Sequence, residues 1–372
     1  MGIIISTPPY LMESAPSTET VFNGQSCLYF GGTSYYGLHA NQDLMKAGCL
    51  AWQELGHSTA TSRTGMGTTP LYLQVEQAAA EFFGTEAAAY LPTGYLSNLA
   101  GLKALFEAGE FDLIFIDEHA HFSAFDAALA TGAPTHTIAH MAPDDLEGKL
   151  KQHLQPGQIP LMISDGLFPT LGQIAPVPAI VEVLQPYNGL LWLDEAHPMG
   201  ILGPNGRGVY DHFDLSGERL LSGGTLAKAF GGFGGIIPGP AKLISRIMTG
   251  QVMSGASAAP PPLAAATLAG MELVAANPQW RERLWANARM LKQGIQSLGF
   301  EVEGSDVPIA AFTLDKQASM AYVQRELLGR GIAIQHTHYA GVGAAGVLRT
   351  VVFSTHTPAQ IQRLIDELGR LV

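Results

Sequence analysis

Charge, cysteine and long apolar runs are all scarce in this chain of 372 residues. Only 14% of its residues are charged, and the formal net charge is -12. A surface of that sign repels a phosphodiester backbone, and no run of Lys and Arg offsets it, so nucleic acid is not an expected partner. Two cysteines, Cys27 and Cys49, cannot build a disulfide framework and read as small hydrophobes. No apolar stretch reaches the roughly 20 residues that a membrane-spanning helix needs. Gly2 to Ser6 loosely fits a myristoylation pattern, but no basic patch accompanies it, and the expected location is cytoplasmic. Apolar residues, at 47%, are plentiful, which is ordinary for a well-packed α/β enzyme. The length suffices for one large domain and a smaller one.

Residues 1–28 read as irregular and lead into Leu28-Tyr29-Phe30. Helical spacing runs from Asn41 to Leu55 and again from Leu71 to Phe83, with a Gly-, Ser- and Thr-rich loop between them. Short apolar runs then alternate with helical segments: Ala87–Leu91, Leu113–Ile116, Pro160–Ser164, Leu190–Leu193 and Gly234–Ile237. Runs apolar on both faces suit a sheet covered by helices on each side, and the alternation implies mainly parallel strands. Ligands in such sheets sit beyond the carboxyl ends of the strands. Three runs deliver Asp117, Asp165 and Asp194 at that end. A long helical pattern from Leu263 to Leu298 breaks near Asn277-Pro278. A strand (309–314), a helix (318–328), strands at 332–335 and 348–353 and a final helix from Pro358 then read as a smaller α+β domain. The division expected is an N-terminal segment (1–45) packing with the small domain, a large domain (46–262) and a small domain (263–372).

Lys228 is one of only eight lysines and lies among small residues in Thr225-Leu226-Ala227-Lys228-Ala229-Phe230-Gly231-Gly232. Burying such an amine is costly unless it is neutralised or bonded, and a Schiff base does both. The plain alternative is a surface lysine whose stem snorkels. Asp194-Glu195-Ala196-His197 follows an apolar strand. A carboxylate there can hold a protonated pyridine nitrogen, and His197 can reach the ring's phenolic oxygen. The same four letters resemble a helicase motif, but no phosphate-binding G-x-x-x-x-G-K-[ST] loop accompanies them. Thr93-Gly94-Tyr95 opens a helical stretch whose free amides suit a phosphate, although Thr93 as an ordinary cap accounts for it equally. His121, four residues beyond Asp117, is placed to stack on the ring. The pairs His119/His121 and His336/His338 lack further ligands at metal spacing, and no metal is expected. Arg349, alone in an apolar run, needs an anionic partner, either a substrate carboxylate or a structural salt bridge.

Taken together these residues resemble the α-oxoamine synthases of pyridoxal-phosphate fold type I. The likeness runs from Tyr35-Tyr36-Gly37-Leu38 through Ser62-Arg63 with Gly67, Gly94-Tyr95 with Asn98, Asp117 with His121, Asp194-Glu195-Ala196-His197, Gly206-Arg207-Gly208 and Thr225 with Lys228, to Ser354-Thr355-His356-Thr357. It implies pyridoxal 5'-phosphate bound to Lys228, which also acts as the base at the amino acid's α-carbon. It further implies that Asp194 serves the pyridine nitrogen, His197 the phenolic oxygen and His121 the ring face. Gly94, Tyr95 and Thr225 match phosphate-binding positions, Ser257 a residue offered by a neighbouring subunit, and Arg349 the substrate-carboxylate arginine. Asp165 joins the cofactor-binding set. The implied reaction condenses an amino acid with an acyl thioester such as acyl-CoA, with decarboxylation, in a homodimer.

Two positions depart from the family pattern. Pro169, in Asp165-Gly166-Leu167-Phe168-Pro169, replaces a serine and has neither a hydroxyl nor an amide hydrogen, with Thr170 as a substitute. Thr33-Ser34 replaces the usual Asn or Asp before the Tyr-x-Gly turn. Altered residues on the substrate side keep a fold-type-I aminotransferase as the alternative activity. A non-catalytic paralogue is disfavoured by the presence of both Lys228 and Asp194.

Overall fold

The apolar runs ending in Asp117, Asp165 and Asp194 lie side by side in one sheet. The computed structural model describes residues 10–314, 317–339 and 341–372, so the Gly2 to Ser6 pattern lies outside the described residues. A hairpin comes first, β1 (Glu19–Phe22) and β2 (Gln25–Tyr29), turning through Asn23-Gly24, both at positive φ. Asn-Gly between strands is the hairpin signal that the irregular reading of residues 1–28 passed over. After α1 (Gln42–Leu55) and α2 (Pro70–Phe83) come β3 (Ala87–Leu91), α3 (Tyr95–Glu107), β4 (Leu113–Asp117), α4 (Phe122–Thr131), β5 (Thr135–Ile138) and β6 (Pro160–Asp165). A small hairpin, β7 (Leu167–Phe168) and β8 (Gln173–Ile174), precedes β9 (Leu190–Asp194), β10 (Leu220–Thr225) and β11 (Gly235–Gly239).

The large sheet has the order β3-β11-β10-β9-β6-β4-β5, parallel except for β11, which runs antiparallel to both neighbours. Every residue of β4 and β6 is buried, so both sheet faces must be covered. Phe115, Met162, Leu191 and Leu193 pack on one face with Tyr72 and Val75 of α2. Ile114, Ile163 and Trp192 pack on the other with Leu102 of α3 and Ala124 of α4. Gly101 of α3 is required by that packing, because a Cβ there would lie 1.9 Å from Cη2 of Trp192. Two strands escaped the sequence reading for physical reasons. β5 is an edge strand and half exposed, and β10 reads Leu-Leu-Ser-Gly-Gly-Thr, without an apolar run.

In the C-terminal part, the long helical pattern divides at Asn277-Pro278 into Pro261–Ala276 and Gln279–Ser297. The expected strand at 332–335 is instead two strands in separate sheets. β12 (Ile309–Phe312), β14 (Gln335–Thr337) and β15 (Val347–Val351) form an antiparallel sheet, whereas β13 (Ile332–Ala333) pairs parallel with β2. β15 ends at Val351, short of the expected Phe353, where the Val352 amide turns to the Pro308 carbonyl. The N-terminal hairpin is therefore a structural neighbour of the C-terminal strands.

Candidate active site

The carboxyl edge of the large sheet brings three acidic strand ends together, and their hydrogen bonds assign them different tasks. Asp194 Oδ2 accepts from Asn98 Nδ2 at 2.7 Å and Oδ1 from the Ala196 amide at 3.0 Å. Asn98 cannot turn over, because its Oδ1 accepts from Trp192 Nε1 at 2.8 Å. Its Nδ2 also donates to Ser123 Oγ at 2.9 Å, which leaves the serine hydrogen to bond His121 Nδ1, 2.7 Å away. The Ser123 amide, 3.2 Å from the same nitrogen, agrees that it accepts. His121 Nδ1 is thus an acceptor, and its hydrogen sits on Nε2. One indole, through one carboxamide, fixes both a carboxylate and an imidazole.

Asp165 pairs with Asp194 across β6 and β9, and its Oδ1 accepts the His121 amide at 2.9 Å. Burial, then the nearby Asp194 charge, push its carboxyl well above the usual range. Asp165 anchors the backbone of His121. Asp117 does likewise for the next turn, accepting from the amides of His119 and Met141 and from His140 Nδ1 at 3.0 Å. The sequence pair His119/His121 therefore separates: His121 faces the site, while His119 joins Asp117 and His140, with potential ligand atoms within 4.8 Å of one another. His140, 21 residues downstream, could not be found from spacing.

Lys228 lies in the turn after β10. Burial pulls its amine down to about 8, against the opposing pull of Asp194 and Asp165. Those two carboxylates, with Arg349, are the charges that act on it, and the side chain is half-buried rather than exposed, which disfavours the snorkelling alternative. Thr225 closes the turn, its hydroxyl donating to the Gly234 carbonyl at 2.7 Å and accepting from the Ala227 amide at 3.2 Å. Burial, then Lys228, hold the His197 imidazole well below its usual pKa, and its Nδ1 lies 2.7 Å from the Tyr35 hydroxyl.

On the facing side, Arg349 projects from β15 with 7% exposure. Its Nε donates to the Pro169 carbonyl at 2.7 Å and Nη1 to Gln335 Oε1 at 2.7 Å. No carboxylate pairs with it among the described residues, so the structural salt bridge is not what holds it. Nη2 and the remaining hydrogen of Nη1 are left for an anion. Pro169 has a use that needs no hydroxyl, because its carbonyl positions this guanidinium. Ser34, the other departure, turns inward to His39 Nδ1 at 2.7 Å. Tyr339 adds a ring 6.3 Å from that of His121, and burial followed by Asp165 and Asp194 push its hydroxyl up to about 12. Nothing in the sequence around Tyr339 or Gln335 pointed to this site, and Tyr35 enters the sequence reading only as the first residue of the Tyr-Tyr-Gly-Leu resemblance.

Three expected residues sit at its margins. No side chain caps α3 at Gly94, whose added Cβ would lie 2.6 Å from Thr225 Cβ and 2.9 Å from its Oγ1. Thr93 reaches only the Tyr95 amide, at 3.4 Å. Tyr95 is 45% exposed and its hydroxyl donates to Asp126, with its ring 6.1 Å from His121. Ser257 is exposed; its backbone bridges to Ser62, and among the described residues its hydroxyl bonds none of the others. A depressed lysine amine, a fixed carboxylate, two imidazoles and an uncapped helix N-terminus against a Cβ-free residue together fit pyridoxal phosphate.

Comparison with known proteins agrees. Residues 32–368 match the family model "Aminotransferase class I and II". The chain is 32% identical over 363 residues to 8-amino-7-oxononanoate synthase of Symbiobacterium thermophilum, covering 97% of this chain and 92% of that protein. It is 33% identical to serine palmitoyltransferase of Sphingomonas paucimobilis, covering 96% and 86%. A solved serine palmitoyltransferase with its pyridoxal phosphate internal aldimine superposes with a TM-score of 0.91 at 30% identity, covering 97% of this chain and 92% of that one.

Proposed function

This chain belongs to the α-oxoamine synthases of the aminotransferase class I and II family, and from that premise we propose how its own residues carry out the reaction. It is a pyridoxal-phosphate-dependent acyltransferase that condenses an amino acid with an acyl thioester. The observation that carries the assignment of roles is that Asp165 and Asp194 end neighbouring strands while β10, paired with β9, leads into the turn of Lys228, whose amine both carboxylates hold up against burial. Bound pyridoxal phosphate supplies an electron sink for negative charge at the substrate's α-carbon. Asp194, held by Asn98 and the Ala196 amide, would keep a proton on the pyridine nitrogen. His197 would serve the phenolic oxygen and His121 the ring face, while Gly94 and the start of α3 would receive the phosphate. Arg349 holds the substrate carboxylate through Nη1 and Nη2.

Lys228, whose amine burial pulls down to about 8, takes the α-proton. A carbon–carbon bond then forms between the α-carbon and the thioester carbonyl as the thiolate leaves, the carboxyl group departs as carbon dioxide, and the proton held on Lys228 returns to the α-carbon. Acyl-CoA is the proposed donor. The proposed assembly is a homodimer, supported by exposed Leu50, Trp52, Met66 and Leu73 on α1, α2 and the turn between them, with Ser257 offered to the partner's phosphate. A division in which residues 1–45 form an N-terminal segment packing with the small domain (263–372) is supported by the β2–β13 pairing. No helix among the described residues is long and apolar enough to cross a membrane, and the cytoplasm is the proposed location. Purified protein given small amino acids singly with acyl-CoA is expected to release free CoA and carbon dioxide in equal amounts. Amino-acid conversion to a keto acid without CoA release would overturn the assignment.

A further inference from the structure

His39 reaches from the N-terminal segment to the turn that carries Lys228 and is bonded at both ring nitrogens. Its Nε2 lies 2.9 Å from the Ala227 carbonyl oxygen and its Nδ1 2.7 Å from Ser34 Oγ. A carbonyl oxygen can only accept, so Nε2 carries a hydrogen. Burial holds the imidazole below its usual pKa, with the Ala227 carbonyl opposing, so the ring is neutral near pH 7 and Nδ1 must accept. The donor order is therefore fixed: Ser34 hydroxyl to His39, and His39 to the residue before Lys228. Ser34 is 4% exposed, which leaves little room for water to take over either role.

The segment bearing these side chains is itself anchored. The Phe30 carbonyl accepts from the Val351 amide at 2.9 Å and the Tyr35 carbonyl from the Ser354 amide at 2.8 Å, tying it to the end of β15. It also lies directly on the Lys228 turn, where a Cβ added at Gly231 would sit 2.4 Å from Leu38 Cβ. The same short stretch thus joins the strand that carries Arg349 to the turn that carries Lys228.

We propose that His39, oriented by Ser34, is a positioning residue for Lys228, fixing the Ala227 carbonyl and so the turn that aims the amine at the substrate. The proposal rests on Lys228 being the reactive amine, as assigned above.

Three variants separate positioning from packing. His39→Ala removes the donor. His39→Gln returns an N–H at similar reach. Ser34→Ala leaves Nδ1 unpartnered, so the ring is held only at its Ala227 end. In the cofactor-loaded enzyme, kcat is expected to fall roughly tenfold in His39→Ala, as for a lost buried hydrogen bond, with KM for the amino acid nearly unchanged. Ser34→Ala is expected to fall between His39→Ala and wild type, and His39→Gln to recover most of the loss. A second readout uses no cofactor chemistry. Trace labelling of Lys228 with acetic anhydride in cofactor-free protein, followed across pH by peptide mass mapping, should give a shifted midpoint in His39→Ala that His39→Gln restores. Unchanged kcat and labelling midpoint in His39→Ala would overturn the proposal, as would a glutamine variant as impaired as the alanine one. Wild-type protein that fails to hold the cofactor at Lys228 would instead sink the assignment of function and leave the labelling comparison to judge His39.

Discussion

The two walls of the site are built differently. The wall formed by the large sheet consists of strand ends: Asp117, Asp165 and Asp194 each terminate a buried run, and three side chains of α3, α4 and β9 tie Asp194 to His121. The opposite wall is assembled from distant segments, with Arg349 held by a proline carbonyl 180 residues away and by Gln335 on the neighbouring strand. Adjacent parallel strand ends fix the first wall, whereas a strand pair and one turn carbonyl fix the second.

That contrast can be broken by substitution on each side. The largest effect is expected on the sheet wall. Asp194→Ala removes a preorganised charge and should lower kcat on the order of 10³-fold. It also leaves Asn98 Nδ2 bonded only to Ser123, so steady-state kinetics and cofactor retention should both decline. A loss in KM alone would show that Asp194 is not the charge opposing the ring nitrogen. The facing wall should respond in the other parameter. Arg349→Lys keeps the charge but loses the fork held by Pro169 and Gln335. A charge-assisted hydrogen bond contributes about 1.5–3 kcal/mol, so KM for the amino acid should rise roughly ten- to a hundredfold with kcat less affected. A fall in kcat with unchanged KM would erase the distinction between the two walls.

How much of this was legible in the sequence follows the same division. Runs such as Leu113–Ile116 and Leu190–Leu193 announce strands because both their faces are buried, and the acidic residue after each run marks the ligand-bearing edge. Lys228 stands out because lysine is rare here and its neighbours are small. The edge strand Thr135–Ile138 and the Gly-rich Leu220–Thr225 lack that apolar signature and were invisible. So was the break at Ile334, because a continuous β-like run cannot reveal that its two halves pair with different sheets. On the facing wall, Pro169 reads as a lost hydroxyl, and only the fold shows that its carbonyl has a task. Ser34 likewise reads as a substrate-side change until His39 is seen beside it. Side chain to backbone bonds across long sequence separations leave no local pattern to read.

Cofactor attachment at a single amine decides whether the rest holds. Protein loaded with pyridoxal phosphate, reduced with borohydride, digested and mapped by mass should carry the pyridoxyl group on the peptide containing Lys228, with the label absent after Lys228→Ala. An unmodified Lys228 peptide in loaded wild-type protein, or a label on any of the other seven lysines, would contradict the account.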